Sequence, residues 1–536
     1  MTTTSHDSNQ GPRIRGFIDI GTNSIRLLLV RLNPNGSYTT ITDQKEVVRL
    51  GEDEFVTHRL RLDAMQRAVL VCRKFAELAR YHGAEEIETV ATSATREAKN
   101  RDEFLKRLQH EAGLDVRVVS GMEEARLVYL GVSSGVHLAE RKALFIDIGG
   151  GSTEIIIGDQ RQYYYLNSLQ LGAIRLTSLL LPDHGGPVSS GKYRKLQFHI
   201  RQNAVYAIRE AQKHQLDLGL GSSGTVENLA QIAARALVNG ETRSDEVLRH
   251  ADLKQVVRLL RSLPLEERRN VPGINPYRAD IIIAGAAILD TLMEDMQLSE
   301  IMVSKRGLRD GMFVDYLSRT EHSYLLEKMS VRRRSVLQLA RASGFEEEHA
   351  EHIVRLALEI FDSAREERLH QLGDWERELL EYAALLHDIG GFLSYSNQHQ
   401  HTYYIISNAD LLGFDQREIT IMAMAARFHR RKRPRRKKHP EYRALSKRVR
   451  RIVRVLSLCL SLAESLDRSH AGLVEHVHLK AHDKQVTLHI TCSGDCQLEL
   501  WGVRSHQKRV AEAFKRKLEL EVLNLNASCA IDTSSR

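Results

Sequence analysis

This 536-residue chain has no apolar stretch long enough to cross a membrane. Its longest uncharged apolar run, Ile281 to Leu289, is less than half of the roughly 20 residues a spanning helix needs. The opening segment, Met1 to Arg15, is polar and lacks the apolar core of a secretion signal. Both features predict a chain that is neither exported nor anchored, hence a cytoplasmic one. Cysteine is scarce as well. Five residues, at positions 72, 459, 492, 496 and 529, leave one over in any disulfide scheme, and only Cys492 and Cys496 are close neighbours. No second pair completes a tetrahedral metal site, so reduced, partly buried thiols are expected. Net charge is missing from most of the chain. The excess of +8 resides in one segment, Arg430, Arg431, Lys432, Arg433, Arg435, Arg436, Lys437 and Lys438, without which Lys and Arg balance Asp and Glu. A polyanion is therefore met at one place rather than attracted everywhere.

What the chain does have is one short phrase written twice. Gly16-Phe-Ile-Asp-Ile-Gly-Thr-Asn-Ser24 returns as Leu144-Phe-Ile-Asp-Ile-Gly-Gly-Gly-Ser152, with Asp19 and Asp147 at matching points. Each phrase runs into a second apolar stretch, Ile25 to Val30 and Ile155 to Ile157. Each therefore predicts a β-hairpin whose tight turn, Gly21-Thr22-Asn23-Ser24 or Gly149-Gly150-Gly151-Ser152-Thr153, offers bare N–H groups to an anion. One such turn would need no explanation beyond the tolerance of glycine for positive φ. Two copies fit a duplicated fold whose turns clamp a phosphoryl group from both sides.

The chain length predicts roughly three to four domains. From Phe17 to about residue 320, short apolar strands alternate with amphipathic helices over 62–82, 96–111, 123–130 and 192–214. This predicts an α/β fold in two related halves, residues 1–137 and 138–320. Helical periodicity then takes over at 347–364, 375–386, 409–428 and 446–466, so residues 321–470 are expected to form an all-α domain. Strands return at 477–479, 485–490 and 497–503, followed by a helix from His506 to about Leu518, a small α+β module over 471–536.

Three further segments carry candidate chemistry. Ser120-Gly-Met-Glu-Glu-Ala-Arg126 opens a helix, and Ser120 and Glu123 have the spacing of a capping box, in which Glu123 reaches back to the cap N–H. That leaves Glu124 without a local task. A carboxylate at a helix start beside an anion cleft can take a proton from attacking water. Leu218-Gly-Leu-Gly-Ser-Ser-Gly-Thr225 is a glycine turn into a helix near Val226, where free N–H groups of Ser222, Ser223, Gly224 and Thr225 and the helix dipole favour phosphate. Ala91-Thr-Ser-Ala-Thr-Arg96 sets small hydroxyls and a guanidinium before a helix, and Arg96 either grips phosphate or lies on the surface.

Together these residues resemble the exopolyphosphatase and guanosine pentaphosphate phosphohydrolase (Ppx/GppA) family, a branch of the actin, Hsp70 and sugar-kinase superfamily with its ribonuclease H-like fold. The resemblance spans about residues 16–470. It includes both Asp-Ile-Gly hairpins, the Ala-Thr-Ser-Ala-Thr-Arg run, Ser-Gly-x-Glu-Glu-Ala-Arg, Gly-Gly-Gly-Ser-Thr-Glu154, Gly-Ser-Ser-Gly-Thr225 and Ser304-Lys-Arg-Gly-Leu-Arg-Asp-Gly311. It implies duplicated actin-like domains, Glu124 as the base that activates water, Asp147 and Glu154 as the groups that organise Mg²⁺ and the nucleophile, and the three turns as phosphate holders. It also implies that water accepts the phosphoryl group, for which Mg²⁺, aligned N–H groups and a positioned base suffice, and that the protein is a homodimer.

The helical part resembles the HD superfamily of metal-dependent phosphohydrolases through the order His352, His387-Asp388, Asp467. His387 and Asp388 end an apolar helix, His352 lies on an earlier helix and Asp467 ends a later one, as a metal cup in a helical bundle requires. His401 and His429 fall between them and can add contacts. The resemblance implies a second divalent metal on His352, His387, Asp388 and Asp467; a scaffold without chemistry, common in the Ppx/GppA family, is the other reading. The basic segment follows His429, is broken by Pro434 and predicts a loop, and Lys447, Arg451 and Arg454 extend the charge along one helix face. Only Tyr442 interleaves it, which disfavours single-stranded nucleic acid and leaves a chain-like polyanion as the expected partner.

The expectation is a Mg²⁺-dependent exopolyphosphatase that releases terminal orthophosphate from inorganic polyphosphate. Guanosine pentaphosphate is the alternative substrate, because it too ends in a phosphoanhydride. A polyphosphate or alarmone sensor without turnover is the alternative of another class.

Overall fold

Both repeated phrases fold as hairpins, and each hairpin forms the middle of a sheet. A computed structural model describes residues 11–35, 37–183, 185–237, 244–319, 329–409, 411–430 and 439–524, and the chain divides into two compact units, 1–331 and 332–536. In the first unit β1 (Arg13–Ile20) and β2 (Ser24–Leu32) pair antiparallel with Ile20 opposite Ile25, and β3 (Tyr38–Val47) flanks β2. Next, β4 (Glu86–Ala91) and β5 (Val116–Val118) add in parallel, giving the order β3-β2-β1-β4-β5. The second phrase repeats the plan with β6 (Ala143–Ile148), β7 (Thr153–Gly158) and β8 (Tyr163–Leu169). To these β9 (Leu218–Ser222), β10 (Val247–Arg249) and β11 (Glu300–Val303) are added, in the order β10-β11-β9-β6-β7-β8. Apart from the edge strand β10, the two sheets share one topology, the duplicated actin-like architecture that was expected.

Burial explains the strand composition. Every residue of β6 and β7 is buried, so both carry near-continuous Ile, Leu and Phe rather than alternation. The Leu62–Tyr81 helix lays Met65, Val69, Cys72, Phe75, Ala76 and Ala79 on the first sheet at helical spacing. The long apolar run of the sequence lies in the Ile282–Asp295 helix, inside the core of the second half. No helix among the described residues is long and apolar enough to span a membrane. The helix expected over 96–111 breaks into Ser93–Glu97, Arg101–Arg107 and a π-helical turn Leu108–Ala112. Asn100 sits at the break, its amide accepting from Leu60 N–H (2.8 Å) and donating to Leu60 O (3.0 Å).

Two helices join the halves. Gly121–Ser133 and Leu308–Arg319 touch backbone to backbone: a Cβ on Gly131 would lie 2.0 Å from Gly307 O, and one on Gly311 1.8 Å from Leu127 O. Leu127 packs with Phe17, Met312 and Phe313 under the first sheet, whereas Val128, Tyr129 and Val132 pack with Phe145 and Ile156 of the second. Residues 308–319, expected to go with the second half, thus cover a face of the first sheet.

The second unit holds the helices Glu347–Glu366, Asp374–Leu385, Gln398–Asn408, Gln416–Arg427 and Lys447–Leu466, and a sheet of β12 (Val474–Ala481), β13 (Gln485–Cys492) and β14 (Lys517–Asn524). The helix expected from residue 409 starts at Gln416, because Asp415 and Glu418 cap it reciprocally (2.7 and 2.9 Å). Residues 497–503 form the helix Gln497–Arg504 instead of a strand, with Glu499, Leu500, Gly502 and Val503 buried rather than alternate residues. The helix after His506 stops at Phe514, where Lys515 turns left-handed at φ 61°, and the third strand takes its place. Four of the cysteines are free and buried, and the Cys492 and Cys496 sulfurs lie 3.2 Å apart.

Candidate active site

The hairpin turns of the first unit border one cavity, to which Gly21–Ser24, Gly149–Ser152, Ser223 and Gly224 all contribute. Both turns close alike, with Gly21 N–H on Ser24 O (3.1 Å) and Gly149 N–H on Ser152 O (3.0 Å). The carbonyl of Thr22 accepts from Gly51, and those of Gly149 and Gly150 accept from N–H groups at the start of the Ala173–Leu180 helix, at 2.9 to 3.1 Å. In a planar trans peptide the C=O and the following N–H point opposite ways. Carbonyls tied back like this turn the N–H groups of Asn23, Gly150 and Gly151 towards the cavity that these residues line. The third turn differs from the other two. Ser223, at φ 74°, starts the Ser223–Ala236 helix with its hydroxyl on Ile148 O (2.6 Å). Three turn residues expected as phosphate holders do not line the cavity. The Ser222 hydroxyl donates to Asp147, Thr153 donates to Leu171 O, and Thr225 is buried against Arg278.

Three carboxyl groups, Asp19, Asp147 and Glu124, border the cavity, and a fourth, Glu154, is buried beside them with Ser168 Oγ donating to it (2.8 Å). Asp19 and Asp147 end the first strands of their hairpins, Glu154 faces Asp147 in register, and Glu124 comes from the Gly121–Ser133 helix. Burial pushes Asp19 up to about 6 and raises Asp147 against the Ser222 hydrogen bond. Burial, then the charges of Glu124 and Asp147, hold Glu154 well above the carboxylate range. Glu124 is brought to about 7 by burial, opposed by Arg96 and supported by Asp19 and Asp147. Its Oε2 accepts from Arg96 Nη1 (2.8 Å), and its Oε1 lies 3.5 Å from Ser152 Oγ. Arg96 therefore holds Glu124 and the Val119 carbonyl (3.0 Å) and does not line the cavity. Glu123 makes only half of the expected box: its N–H donates to Ser120 Oγ (3.1 Å), while its carboxylate pairs with Arg126 and Arg117. Mutually repelling acids, with Asp19 Oδ1 lacking any hydrogen-bond partner, fit a hard divalent cation such as Mg²⁺.

Cations that sequence reasoning did not single out line the same cavity and the next. Arg26, Arg278, Lys305 and Arg306 border the cavity, and Lys45 and Arg309 border an adjoining one that shares Arg26 and Lys305 with it. Burial and the neighbouring Arg26 and Arg278 bring Lys45 down to about 8; burial and Arg26 bring Arg278 to about 10. Such crowding favours an anion between them. Arg26 had a signal, since it sits two residues beyond Ser24 on the same face of β2.

The helical unit gathers a second cluster with a membership of its own. His349, His387 and Glu464 form one triplet of donor atoms, and Asp388, His429 and Glu464 another, each within 4.8 Å. His387 donates from Nδ1 to Ala384 O (2.7 Å), His429 from Nδ1 to Ala426 O, and His349 Nδ1 is held by Asp467 (2.7 Å). The buried Nε2 atoms of His387 and His349 then face one Glu464 oxygen at 2.9 and 3.6 Å without good hydrogen-bond geometry, and that of His429 has no hydrogen-bond partner. Three imidazoles and two carboxylates, oriented from behind, suit a first-row transition ion rather than Mg²⁺. His352 is outside both triplets and its Nδ1 accepts from Arg355 (2.8 Å); Asp467 stands behind His349, and His401 bonds Ser396 O (3.1 Å). Arg430 donates to Asp388 (3.1 Å), while Arg431, Lys432, Arg433, Arg435, Arg436, Lys437 and Lys438 lie outside the described residues. Lys447, Arg451 and Arg454 are exposed on one helix face.

The chain matches the Ppx/GppA phosphatase family over residues 29–320 and Ppx/GppA phosphatase, domain III, over residues 331–505. It is similar to the crystal structure of an exopolyphosphatase from Cytophaga hutchinsonii, 25% identical with a TM-score of 0.53, over 58% of this chain and 99% of that one. An exopolyphosphatase-like protein is 28% identical with a TM-score of 0.51, over 57% and 98%. A Ppx/GppA family member from Aquifex aeolicus is 27% identical with a TM-score of 0.47, over 60% and 100%.

Proposed function

The chain belongs to the Ppx/GppA phosphatase family, and from that premise we propose that it is an exopolyphosphatase, hydrolysing the terminal phosphoanhydride of inorganic polyphosphate. The observation that carries this choice of substrate is the cationic wall. Arg26, Lys45, Arg278 and Lys305 continue from the turn cavity into the adjoining one, where Asp43 is taken up by Arg309 and Glu227 and Asp245 also stand, and these four cations suit a ligand that carries anionic units beyond its terminal one. The terminal phosphoryl group is held by the N–H groups of Asn23, Gly150 and Gly151. Glu124 takes the proton from the attacking water, and Arg96 keeps that carboxylate oriented. Asp19, Asp147 and Glu154 would hold Mg²⁺, which when bound offsets charge on the phosphoryl oxygens. Positioning and electrostatics of this kind are what phosphoryl transfer requires.

Kinetics of orthophosphate release on long-chain polyphosphate and on guanosine pentaphosphate test the assignment. A higher kcat/KM on polyphosphate is expected. Preference for guanosine pentaphosphate would assign the chain to that hydrolysis, and saturable binding of either without release would make it a receptor. In the helical unit, the converging Nε2 atoms support a bound transition ion on His349, His387, His429, Asp388 and Glu464.

A further inference from the structure

We infer that Arg175 is a positioning residue for the reaction in the turn cavity, resting on the phosphohydrolase reading above. One guanidinium aims the second anion-binding turn and ties it to the segment that holds the base. Arg175 is 7% exposed, near the start of the Ala173–Leu180 helix, and does not line the cavity. Its Nε donates to Gly151 O (2.6 Å), and its Nη2 donates to Glu97 Oε1 (2.6 Å) and Ser93 Oγ (3.2 Å). The ring of Phe55 lies beneath it, 4.0 Å from the guanidinium carbon.

Peptide geometry gives these contacts a function. The helix N–H groups take the carbonyls of Gly149 and Gly150, and the third carbonyl of the turn, that of Gly151, goes to Arg175. Drawing Gly151 O towards Arg175 turns the next N–H, that of Ser152, the other way, on the side where Ser152 meets the cavity. At the far end of the guanidinium, Glu97 closes the Ser93–Glu97 helix, and its neighbour Arg96 holds Glu124. Arg175 thus touches a turn of the second sheet and a helix beside the first, and a shift between them disturbs the phosphate donors and the base together. A planar fork fixes the directions of its donors to these three acceptors, which an ammonium on a flexible stem, with three rotatable donors at one point, does not.

In Arg175→Ala, kcat for orthophosphate release is expected to fall about 100-fold while KM for a short polyphosphate changes less than about threefold, as for loss of one aimed donor. Guanidinium ion at millimolar concentration should recover about tenfold of that loss without changing the parent, because the vacated fork site accepts the free ion. Arg175→Lys should stay within about threefold of the alanine variant. Glu97→Gln keeps the arginine and should lower kcat about fivefold; it decides the matter if Arg175→Ala does not fold. A folded Arg175→Ala with parental kcat overturns the inference. So does a loss that tracks the folded fraction and resists guanidinium, or a Glu97→Gln variant at parental kcat. A parent that hydrolyses neither polyphosphate nor guanosine pentaphosphate would sink the phosphohydrolase reading alone. Orthovanadate affinity then scores Arg175, with about tenfold weakening expected in the alanine variant and equal affinity overturning its role.

Discussion

Replacing Arg96 should move the pH dependence of turnover and not merely its size. The Glu124 carboxyl faces Arg96, the Ser152 hydroxyl and the acids Asp19, Asp147 and Glu154, so within that set Arg96 supplies the positive charge. Even with that help, burial holds Glu124 at about 7. A hydrogen bond to a charged partner contributes about 1.5–3 kcal/mol, and about 1.4 kcal/mol corresponds to one pH unit. Arg96→Gln should therefore carry the acid limb of kcat/KM upward by about 1 to 2 pH units. The sign follows from the role: a base works ionised, so the variant lags most near neutrality and approaches the parent in alkaline buffer. The assay is orthophosphate release across pH 6 to 9.5 or so at constant ionic strength and fixed Mg²⁺, with Glu124→Gln as the reference that should lose about 10²- to 10⁴-fold. Profiles of Arg96→Gln and the parent that run parallel, separated by one factor at every pH, would refute the reasoning.

Glu123→Gln should cost only about 0.5–1 kcal/mol in urea unfolding, because its pairs with Arg126 and Arg117 are partly exposed, and should leave kcat intact. Glu54 is buried with neither oxygen hydrogen-bonded, and burial followed by the charge of Glu97 raises it to about 7 against the pull of Arg175. Its ionisation therefore costs stability as pH rises towards and through about 7, so Glu54→Gln should stabilise the first unit by about 1–3 kcal/mol at pH 8.5 and little at pH 5 in paired melts. His349→Ala should release a transition metal measured by elemental analysis while His352→Ala retains it; the reverse pattern, or no metal in the parent after Zn²⁺, Mn²⁺ or Co²⁺ loading, contradicts the ligand set. Replacing Arg430, Arg431, Lys432, Arg433, Arg435, Arg436, Lys437 and Lys438 with Ser should raise KM for long polyphosphate and flatten its salt dependence, each lost phosphate contact lowering the log–log slope by roughly 0.7 if polyphosphate behaves as a single strand. Equal loss on tripolyphosphate would speak against a chain track.

The hairpins are legible in the sequence because strand, turn and strand lie within one short phrase, and duplication makes that phrase visible. Glu124 stands out by elimination although the expected task of Glu123 is only half met: its carboxylate turns to Arg126 and Arg117 instead of the cap N–H, which still occupies it locally. The cationic wall is legible only in part. Arg26 follows from the turn beside it and Lys305 lies in the Ser304–Gly311 run, but Lys45 and Arg278 come from distant segments that only the fold brings to them. In the helical unit, His349 and His352 are both plausible from helical spacing, and the phase of the buried stripe decides between them. His349 leads into Ile353, Leu356 and Ile360, while His352 falls at the edge beside Arg355. Glu464 stands one turn before Asp467 in an otherwise apolar stretch, a signal readable only when that helix is known to be buried on nearly every side. The segment at 497–503 defeats a strand reading because contiguous burial can come from a helix end as easily as from a strand.

The helix that covers the first sheet imposes an order on the birth of the molecule. Phe17, Leu28, Val30 and Leu32 need Met312, Phe313 and Leu317 to leave water, yet the last strand of that sheet ends at Val118 and the covering helix ends at Arg319. On a ribosome adding about 5 to 20 residues per second, the sheet waits some ten to forty seconds with one apolar face uncovered. The half made first is thus finished late. A nascent chain stalled before residue 308 should bind chaperones that prefer exposed apolar strands, and one stalled well beyond residue 319 should not, so truncations of this protein are better cut after that helix than between its two sheets.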